Sequence, residues 1–318
     1  MSESSEKTPK ARHLVVSDRA GQRLDNFLLA EIQGVPRSLI YRIVRTGEVR
    51  VNKGRAKAGY RVQAGDRIRI PPLRLADPRP PTAFPSRQLE RLAAAVIYED
   101  DRLLVVNKPS GLAVHGGSGV IFGVIEGLRA LYPDQTGLEL VHRLDRDTSG
   151  CLLVAKRRSM LRWLHQQIRE QRMEKRYLAL LAGDWRDKQR EVDAPLRKNT
   201  LQSGERVVRV DPTGRPSRTG FRRLRGFQGA TLVEARLHTG RTHQIRVHAA
   251  HLGTPVLGDE KYGDRAANAT LRALGLKRLF LHAAALTFDL PGEGGRFEIQ
   301  APLTDELKKI IEKLSVSK

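Results

Sequence analysis

Six of the sixteen prolines in this 318-residue chain crowd between positions 71 and 85, among Arg and Asp and with few large apolar side chains. Each proline fixes its own φ and lacks a backbone donor. The stretch can therefore neither continue a helix nor enter the middle of a sheet, and it has too little apolar surface to build a core. The chain must fold as separate bodies on either side of an extended linker. We expect a disordered tail over residues 1–20, a small unit over 21–72, a proline-rich linker over 73–95 whose end, Gln88 to Ala95, is a short helix-like run leading into the next unit, and a large unit over 96–318.

In the small unit Leu24, Phe27, Leu28 and Ile32 recur at helical spacing, and after Gly34-Val35-Pro36 so do Leu39, Ile40, Ile43 and Val44. Arg37, Arg42 and Arg45 decorate the second helix around its apolar stripe, and Gly47 is placed to stop it. Val49-Arg50-Val51-Asn52 and Tyr60 to Ile70, bent at Ala64-Gly65-Asp66, read as strands. Two short helices followed by strands, with Gly47-Glu48-Val49-Arg50-Val51-Asn52 and Gly65-Asp66-Arg67-Ile68, resemble the S4 domain, a small RNA-binding module. The resemblance implies that the three arginines meet RNA, whereas a basic helix taken alone could equally be a solvated face.

The charge suits such a partner. Lys and Arg number 57 against 35 Asp and Glu, a net charge of +22 with a pI near 10.7, which is the footprint of a polyanion-binding protein. Hydrophobic residues make up 40%, enough for a core in a globular chain of this length. The single cysteine, Cys151, lies in an apolar run; it excludes internal disulfides and reads as a core filler. No apolar run reaches the roughly 20 residues of a membrane span, and the polar first dozen residues lack the apolar core of a signal peptide. A cytoplasmic protein is expected, without membrane contact.

In the large unit Leu138 to Val141 and Cys151 to Ala155 read as strands. The charged string between them, His142-Arg143-Leu144-Asp145-Arg146-Asp147-Thr148-Ser149-Gly150, must be a loop carried on a rigid sheet, where working side chains tend to sit. Arg143 and Arg146 flank Asp145 and favour its charged form, which suits a nucleophile or an electrostatic stabiliser and not a proton donor. A solvated turn capped by Asp145 or Asp147 would have the same composition. Farther on, Thr242 is a good N-cap for a helix that carries Ile245, Ala249 and Leu252 on one face and ends at Gly253. Arg246 then falls in the first turn, misplaced in the helix dipole by roughly 0.3–1 kcal/mol unless an anion compensates it. We expect Asp145 to be that anion.

The string from His142 to Gly150 resembles the catalytic motif of the RluA-type pseudouridine synthases, enzymes that isomerise uridine within RNA. Two further strings resemble that family in the same order, Asn107-Lys108-Pro109-Ser110-Gly111-Leu112 before it and Gly240-Arg241-Thr242-His243-Gln244-Ile245-Arg246-Val247-His248 after it. The resemblance implies an α+β fold, with the S4 domain followed by a catalytic domain on a mixed, mostly antiparallel sheet flanked by helices. It implies a monomer that needs no cofactor, neither metal nor nucleotide, and acts on large-subunit (23S) ribosomal RNA or an assembly intermediate of that subunit. It makes Asp145 the catalytic carboxylate and Arg246 its ion-pair partner. Tyr177, which alone would be an ordinary strand residue, becomes the ring that packs on the target base and takes a proton. Arg143 helps to displace the base, Leu281 packs on it unless it is simply core, and Gln244 joins the substrate-binding set.

His243, His248 and His251 do not share a face as an i, i+4 pair would, and no cluster of thiolates or carboxylates accompanies them. No metal site is expected, and the three should be solvated or RNA-facing. Lys108, His115 and Gly116 to Gly119 are candidates for phosphate contact, although the G-x-x-x-x-G-K pattern of a nucleotide loop is missing. Leu196 to Val210 reads as a protruding hairpin. Two other functional classes fit parts of the chain. A non-catalytic ribosome-assembly factor would use the same basic surface. A glycoside hydrolase with an Asp nucleophile would need a proton-donating carboxyl about 5–5.5 Å away, for which Asp147 and Asp259 are the candidates.

Overall fold

Helical spacing in the small unit yields α1 (Leu24–Glu31) and α2 (Arg37–Arg45), which bury Leu24, Phe27, Leu28, Ile40 and Ile43. They share a core with a three-stranded sheet of β1 (Arg12–Val15), β2 (Arg50–Val51) and β3 (Arg67–Ile70) in the order β1-β3-β2. This is a computed structural model. It describes residues 11–316 except 18, 33–34, 36, 74–83, 117–121, 201–205 and 293–294, and the side chains at 37, 38 and 206 are also outside the description. Contacts divide the chain into Met1–Ala83 and Phe84–Lys318.

Both ends of the small unit differ from expectation. β1 falls inside the expected tail, yet it pairs antiparallel with β3, His13 opposite Arg69 and Leu14 opposite Ile68. Leu14 and the buried Val16 give this segment the apolar anchors that a disordered tail would lack. The expected linker is shortened from its other side. Ser86–Ala93 forms helix α3, whose buried Leu92 packs so closely over Gly127 that a Cβ there would stand 2.6 Å from it, and the chain from Phe84 onward belongs to the second body. Residues 74–83 of that linker lie outside the described residues.

The second body continues with β4 (Val96–Glu99), β5 (Leu103–Lys108), α4 (Val124–Leu131), β6 (Glu139–Leu140), β7 (Ser149–Ala155), α5 (Arg158–Arg169) and β8 (Glu174–Ala182). Then come β9 (Gln189–Asp193), β10 (Leu196–Thr200), β11 (Arg206–Val210), β12 (Arg218–Phe227), β13 (Ala230–Leu237) and α6 (Gln244–His251). The last elements are α7 (Arg265–Ala273), β14 (Leu281–Asp289), β15 (Arg296–Gln300) and α8 (Asp305–Val316). Ten strands form one sheet in the order β4-β5-β7-β14-β8-β13-β12-β9, with β15 paired to β14 and β6 to β7. Only the β7–β14 pairing is parallel, so the α+β class and the mixed, mostly antiparallel sheet are as the sequence implies.

Every residue of β7 is buried, which is why its sequence is an unbroken apolar run and not an alternating one. Leu152, Leu153 and Val154 each contribute about 1.5–3 kcal/mol by leaving water. Helix α5 covers one face with Met160, Leu161 and Leu164 and leaves Arg162 and Arg169 exposed. Strands β10 and β11 form the expected hairpin, although its turn lies outside the described residues. Its foot does not protrude: Leu196 and Val208 are buried against Val247 of α6.

Candidate active site

Strand β14 brings together residues that lie far apart in sequence. Its Ala283 sits opposite Tyr177 on β8, and its parallel register with β7 sets His282 beside Ser149 and Ala283 beside Gly150, where the Asp145 loop ends. Gly150 has φ +109, and a Cβ on it would stand 2.2 Å from the Ala283 carbonyl oxygen. Only glycine lets the loop turn into the sheet here. Tyr177 and Leu281 thus flank the loop, and both line the cavity that contains Asp145.

The loop is braced at both ends. The amide of Leu153 donates to Nε2 of His142 (3.2 Å), so that ring is neutral; burial, followed by the charge of Lys175, pushes its pKa down to about 3. At the other end the Ser149 hydroxyl is hydrogen-bonded to Nδ1 of His282 (2.8 Å) and accepts from Arg278 Nη2 (2.8 Å). Lys108, a candidate for phosphate contact, is instead fully buried, and its ammonium donates to the carbonyls of Pro109, Leu112 and Arg146 at 2.8–2.9 Å. Those three carbonyls occupy every N–H it has, so it ties the loop to the β5 end and cannot reach RNA.

Asp145 stands with its side chain 27% exposed, its Oδ2 3.4 Å from Nη1 of Arg246 and 3.8 Å from Nε2 of His243. Arg143 and Arg146 are not its partners. Arg143 is exposed, its guanidinium without a hydrogen bond or ion pair among the described residues, and Arg146 pairs with Asp147. The stronger partner of Arg246 is Asp259, to which it donates from Nε at 2.7 Å and from Nη2 at 2.8 Å. The expectation that Asp145 alone compensates this cation is therefore corrected. A bidentate fork to a fully buried carboxylate does most of that work and leaves Nη1 to face Asp145. Asp259 also accepts from the amides of Lys261 and Tyr262. Burial pushes its carboxyl pKa up, but the hydrogen bonds and charge of Arg246 outweigh burial and hold it below the usual range. The turn that carries it needs Gly258, at φ +77, where a Cβ would stand 2.0 Å from the Arg278 carbonyl oxygen.

Tyr262 completes the frame. The Arg246 guanidinium lies 5.0 Å from its ring centre, its hydroxyl accepts from the Val208 amide at the foot of the hairpin, and it is hydrogen-bonded to Nδ1 of His243 (2.8 Å). His243 is the residue that starts α6, and it does so in the left-handed region at φ +55. Thr242, the expected cap, is exposed, and no side chain caps this helix. A non-glycine residue held there carries of order 1–3 kcal/mol of strain, which the hydrogen bond to Tyr262 offsets while Nε2 is turned toward Asp145. The three histidines are not alike. His243 is half-buried at the site, and His251 is exposed. His248 is fully buried between the Thr219 hydroxyl and the Ala194 carbonyl, which rules out an RNA-facing role for that ring.

The structure collects Asp145, Arg246, Tyr177, Leu281 and Arg143 around one cavity. Gln244 lines it as well, but its amide is saturated. Nε2 donates to the Arg218 carbonyl and the Thr219 hydroxyl, and Oε1 accepts from the Thr239 hydroxyl and the Arg241 amide. With all four bonds made, it shapes the loop before α6 and has nothing left for a substrate. Arg42 and Arg45 are exposed on α2 of the other body, and the side chain of Arg37 lies outside the described residues. The tyrosine hydroxyl at 177 is raised well above its ordinary pKa by burial and by the charge of Asp145, so it stays a phenol. Sequence reasoning considered Asp259 only as a candidate proton donor and gave Tyr262 no role. The available signal was the string Gly258-Asp259-Glu260-Lys261-Tyr262-Gly263, which joins a turn glycine to an acid.

Comparison with known proteins adds to this geometry. Residues 102–251 match the family described as RNA pseudouridylate synthase, and residues 22–68 match the S4 domain. The ribosomal large subunit pseudouridine synthase C of Escherichia coli strain K12 is 55% identical over 311 residues, covering 96% of this chain and 98% of that protein. The protein of the same name from Yersinia pestis is 57% identical over 297 residues, 92% of each chain. Among solved structures, the human RNA pseudouridylate synthase domain containing 4 superposes with a TM-score of 0.60 at 26% identity, over 72% of this chain and 96% of that one.

Proposed function

The chain belongs to the RNA pseudouridylate synthase family, and from that premise we infer that it converts uridine to pseudouridine in the RNA of the large ribosomal subunit, with Asp145 as the catalytic carboxylate. The observation that carries this reading is the arrangement at Arg246. One carboxylate, Asp259, is buried and saturated, while the other, Asp145, is left with an open side facing a cavity walled by Tyr177 and Leu281.

The isomerisation breaks the bond between C1′ and N1, whose electron pair leaves with the uracil, turns the ring, forms a bond from C1′ to C5, releases the C5 proton and returns a proton to N1. A uridine inside folded RNA must first be everted, at a cost of a few kcal/mol, which base stacking on an aromatic ring, worth about 1–3 kcal/mol, helps to offset. Asp145 meets the ribose side of the everted nucleotide. Arg246, fixed by its fork to Asp259, keeps the Asp145 carboxylate oriented. Tyr177, a neutral phenol, offers its ring to the base, and Leu281 closes the other side so that detached uracil stays in place. Arg143, unpaired on the loop, is free to enter the space the base leaves.

The basic α2 of the S4 domain, with Arg37, Arg42 and Arg45, gives a second hold on the RNA, and the net charge of +22 supports many phosphate contacts. The protein acts as a monomer in the cytoplasm and needs neither metal nor nucleotide. No helix among the described residues is long and apolar enough to cross a membrane. Of the two candidate proton donors for a glycosidase, Asp259 is held ionised by Arg246 and cannot serve.

The test is incubation of the purified protein with unmodified large-subunit ribosomal RNA, followed by mapping of pseudouridine. New pseudouridine at a few fixed positions is expected. Binding without modification would leave an assembly factor, and release of free uracil would indicate a hydrolase; either result overturns the reading.

A further inference from the structure

One cation in the cavity has no part in the pairing around Arg246. Lys175 lies two residues before Tyr177 on β8, hence on the same face of the strand, and lines the same cavity. Among the described residues its ammonium makes no hydrogen bond and no ion pair. A Cβ on Gly240 would stand 3.9 Å from its Nζ, which places the ammonium beside the backbone of the turn between β13 and α6. It is close enough to His142 to lower that ring, whereas neither Asp145 nor Asp259 acts on it; burial alone lowers its own pKa.

The surroundings are basic. Arg143, Arg169 and Arg241 line the same cavity, and none of them pairs with a carboxylate among the described residues. The Arg241 side chain donates only to the Pro216 carbonyl. Acids at this site are gathered instead at Arg246. A half-buried amine with no acceptor gains nothing for the folded state, and such an arrangement is tolerated where a ligand supplies the missing anion. Several cations without an acid call for a singly charged oxygen ligand that recurs along the substrate, which for RNA is the phosphodiester.

We propose that Lys175, with Arg169 and Arg241 lining the same cavity, forms a subsite for the backbone phosphate next to the everted uridine and holds the strand while the base is out of the stack. This rests on the RNA-isomerase reading above. Tyr177 receives the base and Lys175 the strand, so one stretch of β8 serves both.

The experiment compares Lys175→Met and Lys175→Arg. Equilibrium binding to an unmodified large-subunit ribosomal RNA transcript is measured across a salt series in an Asp145→Asn background, so that the substrate stays unreacted. Lys175→Met should weaken binding about tenfold at low salt and reduce the slope of log affinity against log salt by about 1, while Lys175→Arg keeps the slope. With Asp145 restored, Lys175→Met should raise KM with kcat within about twofold. Its melting temperature should be equal to or above that of the parent, because a half-buried charge without an acceptor has been removed. An unchanged salt slope in an enzyme that still modifies the transcript would overturn the subsite alone. So would a fall in kcat with KM unmoved, which would place Lys175 against the base, or a lowered melting temperature, which would make it a brace of the fold. If the parent enzyme made no pseudouridine, the isomerase reading would fail and this subsite with it.

Discussion

Arg246 faces two carboxylates in unlike surroundings. Asp259 sits in the turn after Gly258 with its side chain fully buried, and it accepts four hydrogen bonds, two from the guanidinium and two from backbone amides. Asp145 sits in the loop before β7, 27% exposed, with a single contact to Arg246 at 3.4 Å. Under the proposed function, the difference separates two jobs that one ion pair could not do at once. A carboxylate that fixes a guanidinium must have its oxygens used, and a carboxylate that reacts must have one free.

The largest effects should separate these two acids by stability. Asp259→Asn leaves a buried guanidinium facing a neutral amide that cannot accept its fork, and should cost roughly 3–5 kcal/mol in chemical denaturation as well as most of the activity. Asp145→Asn should cost under about 1 kcal/mol, because a partly exposed charge with one long contact contributes little. Equal losses for the two variants would break the comparison.

A second difference is that histidines brace the Asp145 loop. His142 is pushed down to about 3 and His282 to about 4, both chiefly by burial. In the unfolded chain each titrates near 6.5. Above that pH neither state holds the proton and the rings are neutral to stability. Below it the unfolded chain takes up protons that the folded rings refuse, so stability falls as the pH drops from about 6.5 toward 4. Each ring withdraws about 1.4 kcal/mol per pH unit, or roughly 4 kcal/mol for the pair by pH 5. Denaturation midpoints measured between pH 7.5 and 4.5 check this, and His282→Gln should flatten the curve. A flat curve in the parent protein would mean that the loop is not braced as described.

The smallest effect concerns Tyr177. Its hydroxyl has no hydrogen bond among the described residues, so Tyr177→Phe should change stability by less than about 1 kcal/mol and RNA affinity hardly at all. Its effect on turnover would then report chemistry at the hydroxyl and nothing else. A large loss of stability would show that the hydroxyl supports the fold.

How far the sequence could be read follows from what kind of force sets each feature. The Asp145 loop was legible because two apolar runs mark the strands on either side, and a buried central strand cannot hide in the pattern. Arg246 was legible as a misplaced cation because helix polarity follows from the sequence alone. Its main anion was not, since a fork between residues 246 and 259 depends on the turn at Gly258 and on which carboxylate is sealed from water. The saturation of Gln244 and the left-handed start of α6 at His243 escaped for a similar reason. Hydrogen bonds from a distant strand, β12, and from Tyr262 overrode the local preference for Thr242 as cap. At the amino end, β1 was missed because an edge strand of four residues has too few apolar positions to stand out beside a polar tail.

The most direct measurement of the central claim is pseudouridine formation by purified Asp145→Asn protein on unmodified large-subunit ribosomal RNA, with RNA affinity and melting temperature followed in parallel. The account predicts no pseudouridine, with affinity and melting temperature close to those of the parent. Pseudouridine formed at a rate within tenfold of the parent would contradict it.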